Sequence, residues 1–238
     1  MPKGTRLNSI LSFAIAVSIF GLFSTLLFAL RPPINQESIS WRKPLIGSVF
    51  SVICIIGITA TFFPEKCSQT LHSQRKESHT IHGNIKFSLH RASIALKGHH
   101  PECGRFSAQT ILVDGQAYCA ACTGLLLGGI VAMIGTCLYF FVGWDLRQLD
   151  FWYVLAGQAG VFLGFIQLKF RGYVRLVVNA LFVFGAFLIL VGIDKLVANL
   201  FVDLYLIGLV IFWIWTRIII SQWDHQRTCS ECQVCGKN

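Results

Sequence analysis

Six stretches of about twenty mostly apolar residues run along the chain, at about 10–30, 45–63, 124–144, 151–168, 173–193 and 200–220. A helix that crosses a bilayer needs about 20 such residues, so the pattern predicts six transmembrane helices. The fourth and fifth are separated only by the residues around Lys169 to Gly172, which predicts a tight antiparallel hairpin. Lys3 and Arg6 precede the first stretch, as in a signal peptide. That stretch exceeds the ~7–15 residues of a signal h-region and no A-x-A site follows it, so a retained helix is expected. The longest polar interval, 64–120, separates the second and third stretches. The predicted organisation is a helix pair over 1–63, a cytosolic loop over 64–120, a four-helix bundle over 121–220 and a tail over 221–238.

Composition agrees. Of 238 residues, 54% are hydrophobic and 13% charged, and the mean hydropathy is +0.63. Soluble domains carry about 25% charged residues, so an ordinary soluble enzyme, a disordered tail and a secreted disulfide miniprotein are excluded. The expected class is an all-α polytopic membrane protein. The net charge of +9 then bears on orientation. With the N-terminus in the cytosol, fifteen Lys and Arg fall inside and five outside, against six and five acids. Both termini and the 64–120 loop are therefore expected on the cytosolic side of the cell membrane. The basic residues follow the loops and form no single patch, so no nucleic-acid partner is expected; the lipid bilayer is.

Within the stretches, Gly124-Leu-Leu-Leu-Gly128 and Gly160-Val-Phe-Leu-Gly164 are G-x-x-x-G patterns. These let helix backbones approach closely, and packing inside the bundle is favoured over a dimer seam. Gln158, Asn179 and Asp203 fall inside or near spans, scattered, and interhelical hydrogen bonds are their expected role. Cys54 and Cys137 read as small apolar core residues.

The other seven Cys and all seven His fall on the predicted cytosolic side. The cytosol keeps thiols reduced, so clustered Cys there point to metal binding or redox chemistry. The first cluster is His99, His100 and Cys103, then Cys119-Ala-Ala-Cys122. Between them, two short β-type runs flank Asp114-Gly115, a two-residue hairpin signal. Zinc takes four tetrahedral ligands, commonly from two short chelating pairs. Cys119 and Cys122 supply one pair, and Cys103 with either His99 or His100 the other; the hairpin would bring them together as a small zinc-ribbon-like insert. The second cluster is His225, Cys229, Cys232 and Cys235, with Cys67 as a competing fourth ligand. If the sixth helix continues, His225 and Cys229 share a face at i, i+4. Zinc is expected here ahead of an iron–sulfur cluster, whose ferredoxin run needs a further Cys before Pro; an unliganded thiol tail is the other reading.

Residues 67–83 are rich in Ser, Gln, Thr, Lys and His and read as an exposed linker, with His72, His79, His82 and, beyond it, His90 solvated. Residues 84–97 place Ile85, Leu89, Ala92 and Leu96 on one helical face. Such a basic amphipathic helix suits the anionic inner leaflet or packing on the hairpin equally.

The run His99-His100, Cys103, Phe106, Gly115 and Cys119-Ala-Ala-Cys122-Thr-Gly124-Leu-Leu-Leu-Gly128 resembles the signature of the membrane-protein family grouped as domain of unknown function 2085. That family pairs a Cys/His segment with C-x-R-C-T-G at the head of a membrane helix. The likeness covers about residues 99–128. This chain has Ala121 in place of the usual Arg and Cys103-Gly104 in place of a Cys-His pair, and it adds two upstream helices and the Cys-rich tail. The resemblance implies functional weight on His100, Cys103, Cys119 and Cys122 and brings no activity with it.

No G-x-x-x-x-G-K-[ST], H-E-x-x-H, G-x-S-x-G or G-x-G-x-x-G occurs. Glu102 could serve a metal-bound water, but four filled positions make a closed, structural zinc. The expectation is a non-enzymatic membrane protein whose cytosolic Cys3His zinc site or sites form a docking or assembly platform for a protein partner. Two alternatives stand beside it. One is a membrane thiol–disulfide oxidoreductase using Cys119 and Cys122 with an electron acceptor such as a quinone. The other is a metal transporter or sensor, which lacks a row of intramembrane ligands.

Overall fold

The computed structural model describes residues 3–32, 40–62, 110–113, 116–144 and 150–230. It contains α1 (Lys3–Leu30), α2 (Arg42–Phe62), a hairpin of β1 (Thr110–Val113) and β2 (Gln116–Cys119), α3 (Ala120–Thr136), α4 (Asp150–Phe165), α5 (Gly172–Val197) and α6 (Leu200–Ser230). A π-helical segment, Cys137–Val142, continues α3, and a 3₁₀ turn, Gln167–Lys169, follows α4.

The fold is mostly helical, as expected. Five stretches are long and apolar enough to cross a membrane: Asn8–Leu30, Arg42–Phe62, Ala120–Val142, Gly172–Val197 and Leu200–Asp224. The fourth predicted span is shorter than expected. Its helix ends at Phe165 after 16 residues, and the chain tightens into the 3₁₀ turn as Gln167 turns into the core. Large apolar side chains cover the outside of the bundle, among them Phe20, Val142 and Phe201 at 66%, 73% and 77% exposure. Soluble proteins do not tolerate apolar surface on that scale, so these faces suit lipid.

α5 is the central helix, packed closely on α3 and α4 and touching α1 and α6. Small residues set these approaches. A Cβ on Gly128 would stand 2.6 Å from the Ala180 carbonyl oxygen, and one on Gly157 2.6 Å from that of Gly185. Gly160 faces the Leu181 carbonyl oxygen at 2.5 Å in the same sense. Both G-x-x-x-G patterns thus serve packing inside the bundle. α1 lies antiparallel to α6, tied by Trp223 Nε1–H to Asn8 Oδ1 (3.1 Å), by the Ser18 and Thr216 hydroxyls (3.0 Å) and by those of Ser24 and Tyr205 (2.8 Å). Gln158 donates to Thr25 Oγ1 at 2.9 Å and to the Leu22 carbonyl at 3.0 Å, the interhelical role expected of it.

Several helix ends differ from the apolar pattern. α2 begins at Arg42 and α5 runs to Val197, so Arg42 and Asp194, which read as loop charges, lie in helices and are buried. α3 begins at Ala120, so Cys122 sits in its first turn and not before it. α6 continues ten residues beyond the predicted end, through positions 225–230. Cys54 is buried as expected, but Cys137 is exposed: it lies where α3 passes into its π-helical segment, on the outer surface.

Candidate functional site

The hairpin sits where α3 and α5 begin. Its antiparallel register pairs Thr110 with Cys119 and Val113 with Gln116, and the predicted Asp114-Gly115 turn between the strands lies outside the described residues. Tyr173, at the start of α5, donates its hydroxyl to the Leu112 carbonyl at 3.2 Å, and Ile111 is buried, so the hairpin is docked on the bundle. β2 runs without interruption into α3, which makes Cys119 the residue that caps the helix. Its backbone is extended (φ −70°, ψ 114°), and Thr123 Oγ1 donates back to its carbonyl at 3.0 Å.

Cys119 and Cys122 are both free, partly buried thiols turned toward each other. The Cys122 thiol donating toward its sulfur holds the Cys119 thiol down to about 5, against burial, which would raise it. The amide groups of Cys122 and Ala121 and the Arg175 charge act in the same direction. The sulfur makes no fully formed capping hydrogen bond, so these amides act as aligned dipoles at the helix start. A thiolate is the form that binds metals and attacks disulfides.

Beneath the thiols lie two arginines. Arg217 on α6 gives Nε to Asn179 Oδ1 at 3.0 Å and Nη2 to the same oxygen and to Gln167 Oε1, the latter at 3.4 Å. Its guanidinium also stands 5.8 Å from the Phe182 ring centre. Arg175 pairs with Asp224 at 3.5 Å, and the Asn179 amide donates to the Arg175 carbonyl at 2.6 Å. Below Cys122 and Arg217, an apolar cavity of about 210 Å³ opens between α2, α3, α5 and α6.

A second polar cluster lies at the opposite end of the helices. Arg42 Nη1 bonds Asp194 Oδ1 at 2.6 Å and also Asp203 Oδ2. Tyr139, carried on the π-helical segment, donates its hydroxyl to Asp194 Oδ2 at 2.6 Å. Lys195 pairs with Asp150 at 2.8 Å, and Lys43 Nζ stands 4.8 Å from the Tyr139 ring centre. Polar groups at this depth persist only when mutually paired, and here the pairing joins α2, α3, α5 and α6. The lone polar residues at Asn179 and Asp203 are thus members of two networks, not isolated contacts.

Of the predicted ligands, the structure brings together Cys119 and Cys122. His99, His100, Cys103, Cys67, Cys232 and Cys235 lie outside the described residues, as do the predicted linker and amphipathic helix. α6 continues through His225 and Cys229, whose side chains are also outside the described set. Among the described residues, no group of three or more His, Cys, Asp or Glu is arranged to hold a metal. The sequence reading missed Arg175, Arg217, Arg42 and Asp194 as site members. Arg217 carried a usable signal, since it falls inside an apolar stretch, where an ionisable residue marks a functional position. No family model, curated protein or solved structure matches the chain.

Proposed function

We propose that this is a multi-pass protein of the cell membrane, with six crossing helices and both termini in the cytosol. In this reading its 64–120 loop folds around zinc to form a docking or assembly platform for a protein partner. Cys119 and Cys122 would supply two ligands, and Cys103 with either His99 or His100 the others. The observation that carries it is the pairing of two free thiols at the start of α3, with Cys119 stabilised as the thiolate that zinc requires. The residues fit: a rigid helix start and a docked strand present two sulfurs together, and three thiolates with one imidazole would close the site. The likeness of residues 99–128 to a family with C-x-R-C-T-G at a helix head supports the same residues. The tail set of His225, Cys229, Cys232 and Cys235, with Cys67 as an alternative member, is proposed as a second zinc site ahead of an iron–sulfur cluster.

The test is the metal content of the purified protein. We expect about one to two zinc per chain. Cys122→Ser should lose about one and render the 67–118 region protease-sensitive while the helices stay inserted. Zinc binding is worth about 10–16 kcal/mol in peptide models, enough to order a two-stranded hairpin that is marginal alone. Full metal content and an intact loop in Cys122→Ser would sink the platform reading.

A second reading, a thiol–disulfide oxidoreductase, is favoured by the same low value at Cys119 and by Cys122 lining a cavity within the membrane-spanning region. It requires a Cys119–Cys122 disulfide in part of the population after acid quenching and alkylation of cells. The zinc reading requires that none be found.

A further inference from the structure

We infer that the cavity between α2, α3, α5 and α6 is a binding site for a membrane amphiphile: one long apolar chain ending in a small acidic head that pairs with Arg217.

The cavity is walled almost wholly by carbon, with Phe50, Ile53, Leu125, Ala186 and Ile214 on its sides. Such a lining with few polar groups is that of a ligand pocket, and its place among spanning helices makes an apolar chain the natural filling. Arg217 and Cys122 also line it. Arg217 is only 7% exposed. It spends Nε and Nη2 on Asn179 and Gln167, and Nη1 donates to no described residue. Both of its partners are neutral amides, which orient a guanidinium without cancelling its charge. Among the described residues, the acid at this end is Asp224, which pairs with Arg175. The two sulfurs, Cys119 and Cys122, act on Arg217 only through their charge, and Cys119 does not line the cavity.

A buried charge is costly unless paired, so the cavity presents a cation prepared for an anion. Guanidinium recognises carboxylate and phosphate oxygens by charge-assisted hydrogen bonds. The cavity also has an open side. On α2, a Cβ at Gly57 would meet no atom within 4 Å, so the wall is incomplete where a chain could enter from the bilayer.

The experiment uses the full chain in phosphatidylcholine nanodiscs, irradiated with stearic acid carrying a chain diazirine, with labelled residues mapped by mass spectrometry. Label is expected on cavity residues such as Ile53 and Ile214. Excess oleate or lysophosphatidate should compete, the stronger of the two telling carboxylate from phosphate, and methyl oleate should not. Arg217→Gln removes the charge but keeps a polar side chain, and should lower cavity labelling about tenfold. Gly57→Phe should do so by placing a ring at the open side, where its Cβ would meet no atom within 4 Å. If Arg217→Gln does not fold, Gly57→Phe and the competitors decide. Cavity labelling unchanged in the folded variants overturns the inference. So does failure of the acids to compete, or equal competition by methyl oleate or a long-chain quinone.

Discussion

The guanidinium of Arg42 and the carboxylate of Asp194, 152 residues apart in the chain, meet at 2.6 Å with neither side chain more than 4% exposed. Arg42 opens α2 and Asp194 lies near the end of α5, so one ion pair fixes the relative height of two helices. Asp203 on α6 and Tyr139 on α3 join it. Removing one member of such a cluster leaves charge uncompensated. Arg42→Met would strand two buried carboxylates and should cost about 3–5 kcal/mol. Asp203→Asn leaves the Arg42–Asp194 pair intact and should cost less. Unfolding by SDS titration from mixed micelles measures both. Wild-type stability in Arg42→Met would show that the cluster does not fasten the helices.

That cluster also shows where sequence reading ran out. The apolar stretches were legible because a bilayer demands length and hydropathy locally. The strand pairing was legible because two β-type runs flank an Asp-Gly hairpin signal that acts locally. The meeting of Cys119 and Cys122 followed from spacing alone. Helix ends were not legible where a charge belongs inside. Arg42 and Asp194 can lie in α2 and α5 only because each satisfies the other, and nothing within twenty residues of either reports that. Arg217 is similar: its partners Asn179 and Gln167 come from α5 and the turn before it. The length of α4 was hidden as well, since Gln167 in the turn that follows it is buried against Arg217 from α6.

The glycines of α4 give a second prediction. A Cβ at Gly160 would stand 2.5 Å from the Leu181 carbonyl oxygen and 3.2 Å from the Gly185 Cα, so the backbone itself must move. Gly160→Val should destabilise by about 1–3 kcal/mol or more, as overpacking does. At Gly208 a Cβ would meet nothing within 4 Å. Gly208→Ala there should be neutral or stabilising by up to about 1 kcal/mol, the intrinsic helix preference. The same SDS titration reads both. Equal effects at the two positions would contradict the close α4–α5 approach.

Topology is testable by chemistry. In a Cys-free background, single cysteines at Ser107 and Ser221 should resist a membrane-impermeant maleimide in intact cells and react once the cells are permeabilised. Ready labelling from outside would invert the protein. It would also place the Cys clusters in an oxidising space, where disulfides form and persist.

The pH response of Cys119 tests the local electrostatics of the site in metal-free protein. Its thiol is held at about 5, well below its ordinary value of 9.0, so the folded state favours the thiolate. The sign follows from linkage: the stabilisation is complete above the unfolded value, shrinks as pH falls between 9.0 and 5, and is gone below about 5. Alkylation of Cys119 by iodoacetamide, followed against pH in chelator-treated protein, should therefore have its midpoint near 5. The causes are ordered, and the order is itself a prediction. The hydrogen bond from Cys122 is the largest, so Cys122→Ala should raise the midpoint most. Arg175 acts only through its charge and contributes least, so Arg175→Gln should raise it by less. A midpoint near 5 that persists in Cys122→Ala would mean that the helix start and the arginines, not the neighbouring thiol, hold the thiolate. A midpoint near 9 in the wild type would remove the thiolate on which both the zinc and the redox readings depend.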